Sequence, residues 1–404
     1  MNSSEKYDYT IIGAGIVGIA IGIALLEKNP KSKVAIVEKE KQPGVHASGR
    51  NSGVLHAGFY YSPDSLKAKF CKIGNQELSE YCKKNNLPFK NIGKVVVTKD
   101  NSEIGRLRDL FERGLKNGIN LELLPQKDLI KIEPSAKTKQ EFIWSPTTSI
   151  ADPKKVNLSL ADKFRNLGGV FYFDQKAKLV TKDETVELVL NSKAFKTKTI
   201  INSSGAAAAT LAKQVGVGKE FVCLPFLGSY WKSKQNSQTP AKLIYPVPNP
   251  VNPFLGVHTT NTLTGDIKIG PTAFPVIGKE QYKLTNGFNF NELREFIVAS
   301  KSMMNSKSTD FKSLAYTELL KQFRRKVVSS SKYLSDSIKL NNGWSRYPAG
   351  IRAQIVNLEN NSLEMDYIVR SDKNVVHVLN AVSPGWTSAL PFGRWVVENQ
   401  PLLS

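Results

Sequence analysis

The sequence predicts an α/β protein in which a Rossmann-like dinucleotide-binding domain is interrupted by a second, α+β domain built on an antiparallel sheet. Three observations predict this fold. A glycine fingerprint separates a short apolar segment from an apolar helical one, an acidic residue ends the next apolar segment, and similar segments recur in the middle and at the end of the 404 residues. This βαβ order is typical of a parallel sheet that binds a nucleotide.

The glycine fingerprint has the spacing GxGxxG. Residues 9–12 predict a buried strand, and Gly13, Gly15 and Gly18 follow it before an apolar helix. In such a turn the first glycine permits the tight bend and the second lets the backbone approach a pyrophosphate. The third lets the helix pack closely on the strand. The alternative is a tight turn with a structural role only.

The start of the helix and the end of the second strand complete the predicted dinucleotide site. Ile16 and Val17 open the helix, whose N–H groups and positive dipole end attract phosphates. The strand at 34–37 ends on Glu38 and Lys39, and Glu38 lies about 20 residues past the last glycine. Its carboxylate is expected to accept hydrogen bonds from ribose hydroxyls and to repel a 2′-phosphate.

Local patterns predict the other elements in chain order. Apolar periodicity with start and stop signals predicts helices over 62–87 (opened by Ser62-Pro63-Asp64), 103–117, 128–134, 153–167 and 390–397, with a mainly helical, basic stretch over 289–340. Short apolar runs predict strands at 93–98, 170–173, 177–180, 198–202 and 375–380.

The layout of these elements is discontinuous. Pieces of nucleotide-binding character at 1–87, 146–220 and 346–404 are expected to form one domain. The intervening segments 88–145 and 221–345 are rich in strands and covering helices, and they are expected to form the second domain.

Composition indicates a globular chain and excludes several classes of protein. It is 41% hydrophobic and 23% charged, and no apolar run reaches the roughly 18 to 20 residues of a membrane span. Residues 1–8 lack a signal-peptide core, so a cytoplasmic location is expected. Cys71, Cys82 and Cys223 are too few and too scattered for a disulfide framework or a metal cluster, so no metal is expected.

The formal net charge of +21 predicts an anionic partner, or a lysine-rich surface that only interacts with solvent. Nucleic acid is disfavoured because no nucleic-acid motif occurs and the lysines are scattered. A small anionic substrate, together with an anionic cofactor, is one alternative. An anionic membrane surface is another, carried by the basic helices between about 300 and 340 and their cluster Phe323–Lys326.

Several segments outside the fingerprint carry a family resemblance. They are 46–71 (with NSGVLHAGFYYSPDSLKAKFC from Asn51), 245–248 (YPVP), 253–258 (PFLGVH), 265–271, 350–354 (GIRAQ) and 378–388. Together they resemble the FAD-dependent amine and hydroxy-acid oxidoreductases of the D-amino-acid oxidase superfamily, above all its L-2-hydroxyglutarate dehydrogenase/oxidase family. The resemblance spans almost the whole chain. The chain departs from the family pattern at Arg50, where His is usual, and at Gly385-Trp386, where Ala-Ala is usual.

The resemblance implies a non-covalently bound FAD in a domain of glutathione-reductase/D-amino-acid-oxidase type. The loop 383–388 would supply backbone N–H groups, and the last helix would direct its dipole at the N1–O2 edge of the flavin. Beyond the fingerprint, the residues that the resemblance places at the cofactor are Arg50, Asn51, Ser52, Gly53, Gly205, Gly385, Thr387 and Ser388.

The resemblance also implies the reaction. A short 2-hydroxy dicarboxylic acid, L-2-hydroxyglutarate, would be oxidised to 2-oxoglutarate by hydride transfer from C2 to flavin N5, with quinone or oxygen as the electron acceptor. A base must take the hydroxyl proton, and His56 is preferred over His258. Arg352 would bind a carboxylate in bidentate fashion.

The remaining substrate-site candidates are aromatic or cationic. Tyr60, Tyr61, Tyr245 and Trp386 are expected to line the substrate pocket, and Lys268 and Arg346 are further candidates for an anion contact. Other readings stay open: an FAD-dependent glycerol-3-phosphate or amine oxidoreductase, and a non-enzymatic FAD-binding protein. Each histidine and tyrosine could instead be a core residue.

Overall fold

The computed structural model describes residues 6–234, 239–249, 254–285, 287, 289–341 and 343–403. Residues 1–5 and Pro253, on which parts of the predictions above rest, lie outside these ranges. The helices in chain order are α1 Ile16–Lys28, α2 Leu66–Lys84, α3 Ile104–Lys116, α4 Leu129–Ile132, α5 Pro153–Asn166, α6 Ala208–Lys213, α7 Phe290–Met304, α8 Phe311–Leu320, α9 Arg324–Ser331 and α10 Ala389–Asn399.

The strands are mostly short. In chain order they are β1 Tyr7–Ile12, β2 Val34–Val37, β3 Val54–Leu55, β4 Phe89–Asn91, β5 Lys94–Val97, β6 Glu122–Pro125, β7 Glu141–Ser145, β8 Ser149–Ala151, β9 Val170–Tyr172, β10 Ala177–Lys182, β11 Thr185–Leu190, β12 Lys193–Phe195, β13 Thr197–Asn202, β14 Phe221–Ser233, β15 Leu243–Pro246, β16 His258–Asn261, β17 Ile267–Gly270, β18 Phe274–Pro275, β19 Ser345–Asn357, β20 Ser362–Leu363, β21 Ile368–Asp372 and β22 Val375–Asn380.

A six-stranded sheet with the order β21-β22-β13-β1-β2-β9 forms the nucleotide-binding layer. Its strands run parallel except β21, which pairs antiparallel at the edge. β2 and β22 are buried on both faces, as expected for a parallel sheet covered by helices. This arrangement confirms the predicted Rossmann-like fold.

Two helices cover this sheet closely. α1 is buried on nearly its whole circumference, from Ile16 to Leu26. α10 crosses it at Gly393, where an added Cβ would lie 2.7 Å from the Ala20 carbonyl carbon. α5 begins as predicted, because Asp152 caps it by accepting hydrogen bonds from the N–H groups of Lys154 (2.9 Å) and Lys155 (3.2 Å).

A ten-stranded sheet forms the second layer. Its order is β20-β19-β14-β17-β16-β15-β5-β7-β6, with β18 paired to β14. The pairs are antiparallel apart from β15 and β5. The strands at 345–357 and 362–363 belong to this sheet, although the sequence grouped 346–404 with the nucleotide-binding pieces. β19 lies here because it pairs with β14 along most of its length.

The predicted helix over 62–87 is shorter than expected and begins later. It runs from Leu66 to Lys84, and Ser65, not Ser62, accepts the capping hydrogen bond, from the N–H of Ala68 at 3.1 Å. The Ser62 carbonyl instead accepts from Ser65 in a preceding turn. The helix ends before Asn86, whose φ of 51° is left-handed.

Among the described residues, no helix combines the length and apolarity that crossing a bilayer requires. α1 is apolar, but it is only 13 residues long and packs inside the first layer.

Replacing Gly393 with alanine should destabilise the α1–α10 crossing. The new Cβ would lie under 3.0 Å from Ala20 and Ile21, so one helix must shift, which costs about 1–3 kcal/mol. Gly105→Ala on α3 is the control, because nothing lies within 4 Å of its added Cβ and alanine favours a helix by roughly 0.5–1 kcal/mol. Denaturant midpoints should move in opposite directions, and equal shifts would contradict the predicted close crossing.

Candidate active site

The glycine turn brings β1, α1 and the end of β13 into contact. Gly13 has a φ of +106°, and a Cβ there would lie 2.8 Å from the Ser203 carbonyl oxygen. A Cβ on Gly18 would lie 2.2 Å from the Gly13 carbonyl oxygen. Only glycine fits these positions, because a side chain would collide with the backbone that the turn packs against.

The N-terminus of α1 and Glu38 meet above this turn. The N–H of Ile16 donates to Ser48 Oγ at 2.9 Å, while Gly15 at the N-cap has no capping side chain. The Glu38 carboxylate accepts from the N–H of Ala14 at 2.8 Å and of Glu40 at 3.0 Å. These hydrogen bonds hold the Glu38 carboxylate beside the glycine turn, at the end of β2.

Residues after Glu38 join a polar cluster with a loop after β18. Lys39 makes ion pairs with Glu40 and Glu280, and His46 hydrogen-bonds to Glu40 at 2.9 Å. Burial lowers the pKa of His46, although the Glu40 hydrogen bond opposes that shift. The carboxylates of Glu40 and Glu280 and the His46 ring are close enough to hold a metal ion, but the Lys39 ammonium contacts both carboxylates.

Arg50 interacts with this cluster and the adjacent backbone. Its Nε donates to the Val45 carbonyl at 3.1 Å, and its guanidinium lies 4.1 Å from the centre of the Tyr282 ring. The Tyr282 hydroxyl also hydrogen-bonds to His46 at 2.5 Å. The guanidinium is therefore committed to protein groups, and Tyr282 is a residue of this region that the sequence did not single out.

The segment Asn51–Gly53 forms a compact turn that leads into β3. Asn51 Nδ2 donates to the Ser48 carbonyl at 2.8 Å, and Asn51 Oδ1 accepts from the Gly53 N–H at 2.8 Å. The Ser52 carbonyl accepts from Lys268 Nζ at 3.1 Å. Lys268 is nearly fully buried, and burial lowers its pKa to about 8.

The loop before α10 packs against β3 and α2. Thr387 Oγ1 donates to the Val54 carbonyl at 3.3 Å and accepts from the His56 N–H at 3.3 Å. Ser388 occupies the N-cap of α10. Gly385 is tight against the Ala381 carbonyl, and Trp386 is buried with its indole N–H sealed from solvent. The loop therefore places the N-terminus of α10 beside His56.

The two preferred histidines lie close together and are uncharged near neutral pH. Burial lowers the pKa of both His56 and His258 to about 3, and the positive charge of Lys94 lowers each further. His258 Nδ1 donates to the Gly256 carbonyl at 2.8 Å, so its Nε2 carries the lone pair. The His258 ring stacks on Tyr245 with centroids 3.7 Å apart. His56 is less buried than His258.

Lys94 is a buried residue that sequence reasoning missed. It is fully enclosed on β5, and its ammonium lies 4.3 Å, 4.5 Å and 4.8 Å from the ring centres of Phe59, Tyr60 and Tyr245. Burial lowers its pKa to about 7. A lysine at the start of the GKVVVT strand has no distinguishing sequence signal, because only the fold packs three rings from two distant segments around it.

Arg352 faces the same region from β19. Its Nε donates to Gln354 Oε1 at 3.2 Å, and its guanidinium lies 4.8 Å from the Phe254 ring centre. Burial lowers its pKa to about 10, which leaves it charged near neutral pH. Tyr61 interacts electrostatically with Arg352, and burial raises the Tyr61 pKa well above its ordinary value.

Two residues predicted from the sequence, and a further histidine, lie elsewhere or at the margin. Arg346 is exposed, stacks on Trp231 at 4.9 Å and donates to the Gln322 carbonyl, so it is not part of this region. Gly205 follows β13 with a φ of +60° and an exposed, open side. His377 is fully buried in β22 and hydrogen-bonds to Asn202, a structural position.

Residues 8–399 match the family described as FAD dependent oxidoreductase (DAO). The chain belongs to this family. It is 37% identical to the L-2-hydroxyglutarate dehydrogenase of Indibacter alkaliphilus, with 97% of this chain and 98% of that relative covered. It is 32% identical to the mitochondrial L-2-hydroxyglutarate dehydrogenase of Homo sapiens, over 98% of this chain and 89% of the relative.

Solved structures support the same fold. The L-alpha-glycerophosphate oxidase of Mycoplasma pneumoniae, whose structure has FAD bound, matches with a TM-score of 0.78 at 24% identity, covering 99% of this chain and 95% of that one. The glycine oxidase of Geobacillus kaustophilus matches with a TM-score of 0.73 at 16% identity, covering 98% and 94%. These likenesses concern the fold and confirm the predicted FAD-binding architecture.

The residues present fit FAD, the cofactor of the family. The adenosine diphosphate half of FAD fits three features: the glycine turn at Gly13 and Gly18, the N-terminus of α1 and the Glu38 carboxylate. Near the loop 383–388, buried polar atoms in the described part of the chain have no hydrogen-bond partner, as expected where a ligand completes the site. They include His56 Nδ1, Tyr60 Oη, Lys94 Nζ and Trp386 Nε1.

Proposed function

We propose that this FAD dependent oxidoreductase oxidises L-2-hydroxyglutarate, a short 2-hydroxy dicarboxylic acid, to 2-oxoglutarate. The observation that carries the proposal is a charged, partly buried Arg352 that interacts with Tyr61, in a region that also holds two uncharged imidazoles. Tyr61 interacts in turn with Cys71, whose Sγ contacts the His56 carbonyl, and His56 and His258 lie close to each other. A carboxylate-binding cation and a neutral base are what a 2-hydroxy acid needs. Relatives of nearly full length that bear the L-2-hydroxyglutarate dehydrogenase name support this choice of substrate.

FAD supplies the acceptor for the hydride that leaves C2 of the substrate. The chain must therefore remove the hydroxyl proton, and His56 is proposed to accept it. Its lowered pKa keeps the imidazole unprotonated at neutral pH, so a lone pair is available. Its backbone N–H donates a hydrogen bond to Thr387 Oγ1, which holds the residue beside the loop that precedes α10.

His258 is proposed to position the substrate hydroxyl. Its hydrogen bond to the Gly256 carbonyl and its stacking on Tyr245 hold the ring, and Nε2 can accept a hydrogen bond. Arg352 is proposed to bind the carboxylate next to C2 through its planar guanidinium. Tyr60, Tyr61 and Tyr245 are proposed to line the pocket, and Trp386 to exclude water from it.

Anaerobic flavin bleaching tests the proposed reaction. L-2-hydroxyglutarate should reduce the bound flavin and abolish its visible absorbance band, because Arg352 and His56 suit a 2-hydroxy acid. The comparison panel is D-2-hydroxyglutarate, glycerol 3-phosphate and amino acids. Reduction by a panel member in place of the L-hydroxy acid would move the activity to that substrate class. A flavin that none of them reduces would contradict the proposal and favour a non-enzymatic FAD-binding protein.

Removing each imidazole tests the two histidine roles. His56→Gln should slow flavin reduction about 10²–10⁴-fold, the contribution of a general base, and His258→Gln about 10–100-fold. Because the pKa of His56 is about 3, protonation inactivates the base only at low pH. The wild-type rate constant for reduction should therefore not fall between about pH 7 and pH 5. A larger loss in His258→Gln would reverse the assignment.

Two exposed features, one on α9 and one on α7, support a proposal about the electron acceptor and the cellular location. We propose that the chain is cytoplasmic and docks on an anionic membrane, where a quinone takes the electrons in preference to oxygen. The basic cluster at the start of α9, Arg324–Lys326, is exposed, and Phe323 beside it is 61% exposed. α7 adds an outward stripe of alternating apolar and basic side chains at helical spacing: Phe290, Arg294, Ile297, Val298, Lys301 and Met304.

This stripe is typical of a helix that lies in a lipid interface. Ile297 and Met304 are 55% and 52% exposed. Apolar side chains exposed together on one face are typical of an interaction surface. The neighbouring cations would add attraction to anionic headgroups that salt weakens. The alternative is a basic face that interacts only with solvent.

Vesicle co-sedimentation tests the membrane proposal. The protein should pellet with vesicles containing phosphatidylglycerol at low salt, and much less with pure phosphatidylcholine or at about 0.5 M salt. Ile297→Asp should reduce pelleting several-fold, because it adds a repelled charge and removes apolar contact. Leu158→Asp, at an exposed apolar position of α5, is the matched control and should bind as wild type does. Absence of wild-type binding would contradict the proposal.

A further inference from the structure

Lys67 is a buried lysine that no step above uses. It lies in the first turn of α2 and is only 3% exposed. Cys71 and Gly74 follow it at spacings of four and seven residues, which place all three on one face of the helix. Cys71 Sγ contacts the His56 carbonyl at 3.3 Å, and a Cβ on Gly74 would lie 2.1 Å from the Thr387 carbonyl oxygen. This face of α2 therefore lies against the candidate active site.

The carboxylate beside Lys67, that of Asp366, already accepts backbone hydrogen bonds. Asp366 Oδ2 accepts from the N–H of Leu66 at 2.8 Å, and Oδ1 accepts from the N–H of Lys67 at 3.1 Å and of Tyr367 at 2.9 Å. These backbone bonds cap α2, and Asp366 makes no ion pair with the Lys67 ammonium within the described ranges. The negative charge of Asp366 still favours the charged form of Lys67.

Arg352 is the second cation of this region. Its charge acts on Lys67 and, after burial, is the strongest factor that lowers the Lys67 pKa, which is about 7. The side-chain partner of Arg352 is the neutral amide of Gln354. Two cations, a buried Lys67 and a partly buried Arg352, therefore lie near each other, and across the described residues neither makes an ion pair with a carboxylate. Such an arrangement is unfavourable unless a ligand brings negative charge.

We propose that Lys67 determines substrate specificity by binding the second carboxylate of a dicarboxylate, while Arg352 binds the carboxylate next to the reacting carbon. This inference rests on the proposed function for the identity of the substrate. A diacid with two carboxylates compensates both cations. A monocarboxylic 2-hydroxy acid compensates Arg352 alone and leaves the ammonium of Lys67 buried without a counter-charge.

The test compares two unreactive acids that differ only in the second carboxylate. Glutarate and butanoate are titrated into the FAD-loaded protein, and the perturbation of the flavin absorbance gives each dissociation constant. Lys67→Met should weaken glutarate about 10–100-fold, the loss of one charge-assisted hydrogen bond, and butanoate by no more than about 2-fold. Lys69→Met is the matched control, since Lys69 is exposed on the same helix.

Two further variants separate charge from packing. Lys67→Arg keeps the cation and should bind glutarate within a few-fold of wild type, whereas Lys67→Gln keeps polarity without charge and should behave as Lys67→Met does. L-2-hydroxyglutarate and L-2-hydroxybutanoate give the kinetic counterpart. KM should rise for the diacid alone, with kcat little changed, because the second carboxylate is remote from the reacting carbon.

The outcomes distinguish this inference from the proposed function. The proposed role of Lys67 would be overturned if Lys67→Met weakened the binding of glutarate and butanoate equally, or weakened neither. It would also be overturned if Lys69→Met had the same effect as Lys67→Met. If L-2-hydroxyglutarate fails to reduce the wild-type flavin but glutarate binding still depends on the charge at Lys67, the proposed substrate is wrong. The dicarboxylate site at Lys67 then stands.

Discussion

The contact of the loop 383–388 with β3 and α2 is the constraint on which the rest of the site depends. Thr387 joins the Val54 carbonyl to the His56 N–H, and its own carbonyl packs against Gly74, where no side chain would fit. This contact brings the N-terminus of α10, the proposed base and the Lys67 face of α2 together. Because α10 lies more than 300 residues after β3 and α2 in sequence, a shift at this contact would misplace its N-terminus relative to His56 and Lys67.

Burial changes the charge states of the titratable groups in this site. Burial keeps the imidazoles of His56 and His258 neutral and lowers the pKa values of Lys67 and Lys94 to about 7. Arg352 remains charged because a guanidinium ordinarily has a very high pKa. The region is thus poor in negative charge of its own, so an anionic ligand completes it. The net charge of +21 would also attract such a ligand from solution.

The nucleotide half of the fold was largely predictable, because local rules decide it. The GxGxxG spacing places Gly13 and Gly18 where only glycine fits, and Asp152 caps its helix through its own side chain. The predictions of where α2 begins and of which sheet β19 joins were wrong, because residues distant in sequence determine both. Asp366, some 300 positions away, satisfies the first N–H groups of α2, and β19 joins the ten-stranded sheet because β14 pairs with it.

The sequence by itself determined the family and the cofactor and singled out His56, His258 and Arg352 as candidates, because these depend on motifs that are continuous along the chain. Only the tertiary structure decided which lysines are buried without an ion pair in the part of the chain that the structure describes. Lys67 and Lys94 resemble surface lysines in sequence, since burial and the absence of a counter-charge are properties of packing between distant segments. The same packing commits Arg50 to Tyr282 and leaves Arg346 outside the site.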